Sequence, residues 1–238
     1  MGLWQDFLSN EGKIIHKWVH YFPIYEKHFH WYKNKSLTFL EIGVSKGGSL
    51  QMWQRYFGPL AKVVGIDVDE KCKAHEAPGI FVRIGDQKDE RFLQAVMDEF
   101  GTPDIVLDDG SHKMDDVNAS FHFIYPKMPK NGVYAVEDLH TAYWDEYGGG
   151  VDKADTFVNK AKQFIDSLNA DHSRGAIPAD FITRGTFSIS FYDSVIVFEK
   201  GDVWRKEAPR TGRDSISGTI DTAVDSIRGA IINRIKGR

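Results

Sequence analysis

From Leu37 onward the chain alternates short apolar runs with longer segments of helical periodicity, and this alternation constrains its fold more than any other feature. Parallel strands need helical crossovers, so the pattern predicts a doubly wound α/β sheet with helices on both faces. Apolar runs predict strands at 37–42, 62–66, 80–84, 104–107 and 133–136. Helical spacing predicts helices at 49–56, 90–100 and 115–125.

The period of the apolar pattern changes near the end of the predicted sheet. After a further amphipathic helix that begins near Phe157, Phe187, Ile189 and Phe191 alternate with serines, and a second apolar run follows at 195–198. A period of two on both sides of a short polar turn predicts an antiparallel hairpin that ends the sheet.

The chain divides by composition into three parts. Residues 1–35 are rich in aromatic residues and predict a helical cap interrupted near Pro23, or an oligomer contact. Residues 36–205 hold the predicted α/β domain. Residues 206–238 form a polar tail with spaced Ile and Val, the pattern of a surface helix.

Composition argues against several classes of partner. The 30 basic and 34 acidic residues give a net charge of −4, which does not favour a nucleic-acid partner. No apolar stretch approaches the ~20 residues that span a bilayer, and no secretory leader is evident at the start, so we expect no membrane association. The single cysteine, Cys72, fits a reducing cytoplasm. We expect a homo-oligomer that acts on a small molecule.

Ligands of open parallel sheets bind beyond the carboxyl ends of the strands. There the first predicted strand runs into a glycine-rich turn with the sequence Glu41-Ile42-Gly43-Val44-Ser45-Lys46-Gly47-Gly48-Ser49. Glycines allow a close approach to the backbone, and the following helix offers free N–H groups. The second strand ends at Asp67, whose carboxylate can accept both hydroxyl protons of a ribose.

The details of this turn favour one class of cofactor over another. A dinucleotide site prefers glycine where this chain has Ser45, and the Glu41 carboxylate would repel a pyrophosphate. The same carboxylate suits a cationic aminoacyl-sulfonium. A generic glycine-rich turn is the alternative. Asp86 and Gln87, which follow the third strand, either border an adenine ring or form an ordinary turn.

Acidic residues gather after the fourth and fifth strands. These strands run into Asp108-Asp109-Gly110-Ser111-His112 and Glu137-Asp138-Leu139-His140. Carboxylates so close together repel one another, and a hard divalent cation such as Mg²⁺ relieves that repulsion. The alternative is that the acids cap helices or meet basic residues at a solvated surface, which we prefer for Asp115 and Asp116.

A general base is also available at this edge. His112 lies three residues after Asp109 and can accept a proton at cytoplasmic pH. His140 and Lys113 are the next candidates for that role. A surface or capping role is the alternative for any one histidine.

Together these motifs resemble a known family. Glu-Ile-Gly-Val-Ser-x-Gly-Gly-Ser, Leu-Asp-Asp-Gly-Ser-His and Val-Glu-Asp-Leu-His-Thr-x-Tyr-Trp are similar to the metal-dependent class I methyltransferases of macrolide sugars. This is the mycinamicin and macrocin O-methyltransferase group, whose relatives include the cephalosporin hydroxylase-like proteins. The similarity spans residues 18–200. This chain has only about thirty-five residues where one such enzyme carries a large N-terminal domain, so substrate and assembly are not carried over.

The resemblance implies a fold, two cofactors and a set of roles. It implies a seven-stranded Rossmann-like sheet with a reversed terminal hairpin, S-adenosylmethionine, Mg²⁺ and methylation of a hydroxyl on a sugar or glycosylated small molecule. The implied metal ligands are Asp109, Glu137 and Asp138, and the implied base is His112. The residues that we assign to the cofactor are Glu41, Gly43, Ser45, Gly47, Ser49, Asp67, Asp86, Gln87 and Asp108. Whether Asp108 or Asp109 binds the metal stays open.

Two other functions are alternatives for this chain. A hydroxylase or oxidoreductase on the same fold would need a nicotinamide site or a redox iron, and no set of two histidines and one carboxylate has useful spacing. A non-catalytic S-adenosylmethionine-binding protein would not need the complete set of Asp109, His112, Glu137 and Asp138. The stretch 143–150 is either a lid with glycine hinges or a plain connection.

Overall fold

The structure is a computed structural model, and it describes residues 2–202 together with 206, 208 and 216. The predicted tail at 206–238 lies, apart from those isolated positions, outside the described residues. No helix within the described part of the chain combines the length and apolar character that a membrane crossing requires.

The described residues contain one seven-stranded sheet with the spatial order β3-β2-β1-β4-β5-β7-β6. The strands are β1 Leu37–Ile42, β2 Ala61–Asp67, β3 Ile80–Ile84, β4 Ile105–Asp108, β5 Val133–Val136, β6 Thr186–Tyr192 and β7 Val195–Lys200. The first five run parallel, while β7 pairs antiparallel with both β5 and β6. The predicted doubly wound sheet and its antiparallel terminal hairpin are therefore confirmed.

The order of the strands reverses between β1 and β4, and this reversal fixes where a ligand can bind. β2 and β3 follow β1 on one side, and β4 and β5 lie on the other. Crossovers therefore run in opposite directions, and a crevice opens at the carboxyl ends of β1 and β4. The residues after Ile42 and Asp108 consequently meet at the switch point.

Helices cover both faces of the sheet. They are α1 Leu3–Leu8, α2 Phe22–Phe29, α3 Gly48–Phe57, α4 Glu90–Phe100, α5 Met114–Ile124, α6 Phe157–Leu168 and α7 Phe181–Gly185. Strand β1 shows why two layers are needed, since Phe39 packs on one face and Leu40 on the other. One face packs against α1, α2 and α3, and the opposite face against α4, α5, α6 and α7. Burial of apolar surface on both sides stabilises this three-layer arrangement.

Two details differ from the sequence prediction. Pro23 begins a helix where an interruption was expected, because it lies in the first turn of α2, where its missing N–H costs nothing. Ile165 was expected on the buried stripe of α6, yet it is 49% exposed, while Phe157 and Phe164 carry the buried face.

Candidate functional site

The glycine-rich turn after β1 lies against the loop that follows β4. Gly43 has a φ of +94°, and a Cβ atom there would lie 2.1 Å from the carbonyl oxygen of Asp109. The Asp109 N–H donates to the Ile42 carbonyl at 2.9 Å, which ties the two segments together. Gly47, with a φ of +73°, precedes α3. Only residues without a side chain let these two loops approach so closely.

Asp67, at the end of β2, holds the glycine turn in place. Its Oδ2 accepts hydrogen bonds from the Val44 N–H at 2.9 Å and the Ser45 N–H at 3.0 Å. Partial burial would raise the pKa of this carboxyl, but the backbone N–H groups outweigh it and leave the pKa below its ordinary value. Asp67 is therefore an ionised acceptor beside the turn.

Two cavities meet at Asp67. One has a volume of about 280 Å³ and the other about 350 Å³, and both are lined by Gly43, Asp67 and Gly110. The smaller cavity extends past Ser45 and Ser49 toward the acidic residues. The larger one extends toward Asp86 and Gln87. An elongated ligand with one polar end in each cavity fits this shape, which agrees with the predicted cofactor end of the sheet.

Gln87, which lines the larger cavity, forms a buried network with Asp108. The Gln87 amide oxygen accepts from the Ser111 N–H at 3.0 Å, and its Nε2 donates to Asp108 Oδ1 at 3.3 Å. The Asp108 carboxylate also accepts from the Ser120 hydroxyl at 2.6 Å and the Tyr134 hydroxyl at 3.0 Å. Burial raises the pKa of Asp108 to about 6. Its carboxylate thus braces the loop from behind and is not among the residues that line either cavity.

Glu41 also lies behind the cavity surface. It is fully buried and accepts from the Ser49 hydroxyl at 2.8 Å and the Trp53 indole N–H at 3.2 Å. Burial raises its pKa to about 7, against the effect of the nearby Lys17 ammonium. Glu41 therefore orients Ser49, which does line the smaller cavity.

Asp109, His112 and Asp138 come together at the end of the smaller cavity. Ligand atoms of all three lie within 4.8 Å of one another. His112 Nε2 is 3.9 Å from Asp109 Oδ1 and 3.7 Å from Asp138 Oδ2. His112 and Asp138 have φ values of +57° and +54°, an uncommon backbone region that occurs often at functional sites. The two carboxylates offer the oxygen ligands that a hard divalent cation prefers, and the imidazole lies beside them.

Glu137 lies beside this group but is engaged differently. It is buried, and its Oε2 accepts from the Lys17 ammonium at 2.8 Å, while its Oε1 accepts from the Tyr25 hydroxyl. Burial raises the pKa of Glu137, with Lys17 opposing. Burial would lower the pKa of Lys17, but three carboxylates outweigh it and raise that pKa, so the ammonium stays charged. Its second hydrogen bond, to Asp109 Oδ2, measures 2.5 Å.

Three residues of this site were not expected from the sequence. Lys17, Tyr21 and Tyr25 all donate hydrogen bonds into the acidic cluster, and Tyr21 reaches Asp138 Oδ1 at 2.7 Å. They are spaced four residues apart in the aromatic N-terminal segment, a spacing that would place them on one side of a helix, although in the structure Lys17 precedes the helical residues. That spacing of polar-tipped side chains is the signal that could have found them.

The other candidate bases occupy less central positions. The His140 ring lies 5.8 Å from the Trp18 ring and 4.9 Å from the Trp144 ring, as part of an aromatic group. Lys113 precedes α5, and its N–H donates to the Ser111 hydroxyl at 3.2 Å. Lys113 lines the larger cavity. The stretch 143–150 begins with exposed Tyr143 and Trp144, and whether it moves stays a prediction.

Comparisons with a family model and with individual proteins all match this chain to methyltransferases. A family model described as FtsJ-like methyltransferase matches residues 24–166. The chain is 36% identical over 201 residues to demethylmacrocin O-methyltransferase of Streptomyces fradiae, covering 78% of this chain and 50% of that protein. It is 34% identical over 200 residues to mycinamicin VI 2''-O-methyltransferase of Micromonospora griseorubida, covering 77% and 49%. The chain thus spans about half the length of the curated relatives it matches.

A solved structure agrees with these relatives. The MycE methyltransferase from mycinamycin biosynthesis, in complex with Mg, SAH and mycinamycin VI, superposes with a TM-score of 0.75 at 31% identity. That match covers 90% of this chain and 56% of the other. The family that the sequence motifs indicated is confirmed, and the chain belongs to the FtsJ-like methyltransferase family.

Proposed function

We propose that the protein is a divalent-metal-dependent O-methyltransferase that moves a methyl group from S-adenosylmethionine to a sugar hydroxyl of a glycosylated small molecule. The observation that carries this proposal is the smaller cavity, which connects the glycine turn at Gly43 directly to Asp109, His112 and Asp138. The names of the relatives describe O-methylation, and one of them, 8-demethyl-8-alpha-L-rhamnosyl tetracenomycin-C 2'-O-methyltransferase of Streptomyces olivaceus, names a glycosylated compound, which supports the choice of acceptor.

S-adenosylmethionine supplies an electrophilic methyl group on a sulfonium. In this chain, Asp67 would accept the ribose hydroxyl protons, since it is ionised and lines both cavities. Asp86 and Gln87 border the larger cavity and would contact the adenine end. Ser45 and Ser49 line the smaller cavity and would contact the aminoacyl end.

The predicted metal ligands are Asp109, Glu137 and Asp138. Their oxygens lie around one end of the smaller cavity, and this donor set fits Mg²⁺, which prefers carboxylates and keeps several waters. When bound, Mg²⁺ supplies Lewis-acid stabilisation of negative charge on an acceptor oxygen. Asp108 is engaged by Ser120 and Tyr134 behind the loop, which favours Asp109 over Asp108 as the ligand after β4.

His112 would act as the general base. Its Nε2 lies 3.9 Å from Asp109 Oδ1 and 3.7 Å from Asp138 Oδ2, beside the proposed metal ligands, where it would take the proton of an acceptor hydroxyl. The two carboxylates then stabilise the imidazolium that forms. Its backbone carbonyl accepts from the Thr141 hydroxyl at 3.2 Å, which helps to hold the residue in its uncommon conformation.

Aromatic side chains beside the cavity suit a sugar with an apolar aglycone. Trp18 lines the smaller cavity and is 52% exposed, and Trp144, across the His140 ring, is 45% exposed. Each Trp ring presents a large apolar face together with an N–H donor, which suits contact with a ligand that has both apolar and polar parts.

Calorimetry and a methyl-transfer assay test this proposal. Calorimetric titration is expected to show binding of S-adenosylmethionine in the micromolar range and no binding of NAD; the reverse result would favour an oxidoreductase. With demethylated glycosylated macrolides as acceptors, EDTA is expected to abolish transfer and Mg²⁺ to restore it. Activity that is indifferent to EDTA would rule out the metal mechanism, and cofactor binding without transfer to any hydroxyl acceptor would favour a non-catalytic protein.

We further propose that the protein forms a homo-oligomer and works in the cytoplasm. Trp31 and Phe187, which are 73% and 70% exposed, line one shared groove at the amino ends of the strands. Buried and unpaired Cys72 is compatible with a reducing compartment. Light scattering of the purified protein measures the number of subunits, and a strictly monomeric mass would contradict the first part.

A further inference from the structure

The Lys17 ammonium lies among three carboxylates of the proposed metal site. Its Nζ is 2.5 Å from Asp109 Oδ2, 2.8 Å from Glu137 Oε2 and 3.6 Å from Glu41 Oε1. The Lys17 side chain is only 2% exposed. A lysine is seldom buried this deeply unless acidic groups surround it. The position of Lys17 therefore indicates a specific role.

We infer that Lys17 is a resident cation that competes with the divalent metal for Asp109 and Glu137, so that full metal binding requires the Lys17 side chain to leave. This inference rests on the proposed function, because it concerns the metal of that same site. Lys17 would then set the affinity of the site for the metal, and the N-terminal segment would help to control whether the metal can bind.

Repulsion among the buried carboxylates explains why a cation lies between them. Glu137 and Glu41 are buried, and carboxylates brought this close without a counter-charge repel one another. The ammonium relieves that repulsion in the absence of metal. A divalent ion would coordinate the same oxygens at roughly 2.0–2.1 Å, which would place it within a few ångströms of Nζ, and two cations at that separation in a buried site repel strongly.

The hydrogen bonds of the site determine which carboxylate oxygens an entering metal ion would reach first. Both Glu137 oxygens accept hydrogen bonds, one from Lys17 and one from Tyr25. By contrast, Asp109 Oδ1 and Asp138 Oδ2 face the His112 imidazole. An entering cation would therefore meet these two oxygens first, and Glu137 would join only after Lys17 withdraws.

The surroundings of Lys17 allow such a withdrawal. Lys17 lies between α1 and α2, in the stretch 13–18 that belongs to no helix or strand. Its side chain borders the cavity of about 280 Å³, so its withdrawal does not require the packed core to open. Tyr21 and Tyr25 would keep their hydrogen bonds to Asp138 and Glu137, so the cluster need not collapse when the ammonium leaves.

The test is a metal titration of matched variants without acceptor or cofactor. Binding of Mn²⁺, followed by the electron paramagnetic resonance of the free ion, is compared for the wild type, Lys17→Met, Lys17→Arg and Lys13→Met. Lys13 belongs to the same segment and carries the same charge, but its Nζ meets His75 at 2.9 Å and no carboxylate of the site. We expect Lys17→Met to bind Mn²⁺ at least about tenfold more tightly than the wild type, with Lys17→Arg and Lys13→Met near the wild-type affinity.

A second measurement uses only the wild-type protein, so it does not depend on whether a variant folds. Acetic anhydride labelling of wild-type lysines, read by mass spectrometry, is expected to spare Lys17 without metal and to modify it at saturating Mn²⁺. Unchanged or weaker Mn²⁺ binding by Lys17→Met, or a Lys17 that stays protected with Mn²⁺ bound, would overturn the competition while leaving the metal site intact. If neither the wild type nor Lys17→Met binds Mn²⁺, the metal site itself is wrong and this inference fails with it.

Discussion

The Lys17 ammonium donates to Glu137 Oε2 at 2.8 Å across 120 positions of the chain. This contact joins the N-terminal segment to the end of β5, and Tyr21 and Tyr25 repeat the connection at Asp138 and Glu137. Aromatic residues that were expected to cap the domain or form an oligomer contact therefore contribute polar groups to the site. The segment 17–25 belongs to the functional site as much as the strand ends do.

We predict that Asp109 and Asp108 differ sharply in their effect on metal binding. Asp109→Asn is expected to weaken Mn²⁺ binding by at least about 100-fold, because it removes a proposed direct ligand. Asp108→Asn is the matched control, since its side chain contacts Ser120 and Tyr134 behind the loop. Isothermal titration with Mn²⁺ measures both affinities. A larger loss in Asp108→Asn than in Asp109→Asn would exchange their roles.

His112 is expected to act in proton transfer. His112→Asn is the preferred variant, because asparagine tolerates the φ of +57° at this position better than other side chains. Removal of a general base is expected to lower kcat by about 10² to 10⁴ with little change in the binding of S-adenosylmethionine. Steady-state kinetics and Mn²⁺ titration distinguish a general base from a metal ligand, since a parallel loss of Mn²⁺ affinity would make His112 a metal ligand.

Gly43→Ala is predicted to damage both stability and ligand binding. The new Cβ would lie 2.1 Å from the Asp109 carbonyl oxygen, and the φ of +94° strains any side chain. The strain alone costs about 1–3 kcal/mol in the free energy of unfolding. Gly101→Ala, with a φ of +88° and no atom of the described residues within 4 Å of the new Cβ, isolates that strain. Urea unfolding is expected to show a greater loss for Gly43→Ala, with loss of cofactor binding in that variant only.

Asp67→Ala is predicted to weaken S-adenosylmethionine binding by about tenfold or more, because it removes both the proposed ribose acceptor and the two hydrogen bonds that hold the glycine turn. Asp86→Ala, at the rim of the larger cavity, is expected to have a smaller effect, since its carboxylate is exposed and accepts from the Lys88 N–H. Calorimetric titration compares the two. Equal losses would contradict the larger role that we propose for Asp67 in cofactor binding.

The stability of the protein is predicted to fall in acid partly through Glu199. The hydrogen bond from His28 Nδ1, at 3.1 Å, holds the pKa of Glu199 below its ordinary value of 4.5, although burial opposes it. A lowered pKa stabilises the fold above pH 4.5, and this stabilisation is lost as the pH falls through the lower folded-state value. Unfolding of wild type and Glu199→Gln from pH 7 to pH 3 is expected to show a stability difference that closes in acid. Asp171→Asn, at an exposed position, is the control.

Much of the fold follows directly from the pattern of the sequence. The apolar run 37–42 and its successors predicted the five parallel strands to within two residues, because a strand buried on both faces must be apolar throughout. The alternation around Ile189 predicted the antiparallel hairpin for a similarly local reason. The family motifs predicted the neighbourhood of Gly43, Asp109 and Asp138, since the carboxyl ends of parallel strands share one edge.

The tertiary structure alone decided which side chains reach the site and which face away from it. Asp108 and Asp109 are adjacent and chemically alike, yet only the path of the backbone sends one into a buried network and the other into the cavity. Lys17 meets Glu137 because the packing of α2 on the sheet carries the N-terminal segment there. Local periodicity reports whether a residue is buried; it does not report which distant residue it will meet, because that depends on how whole elements pack.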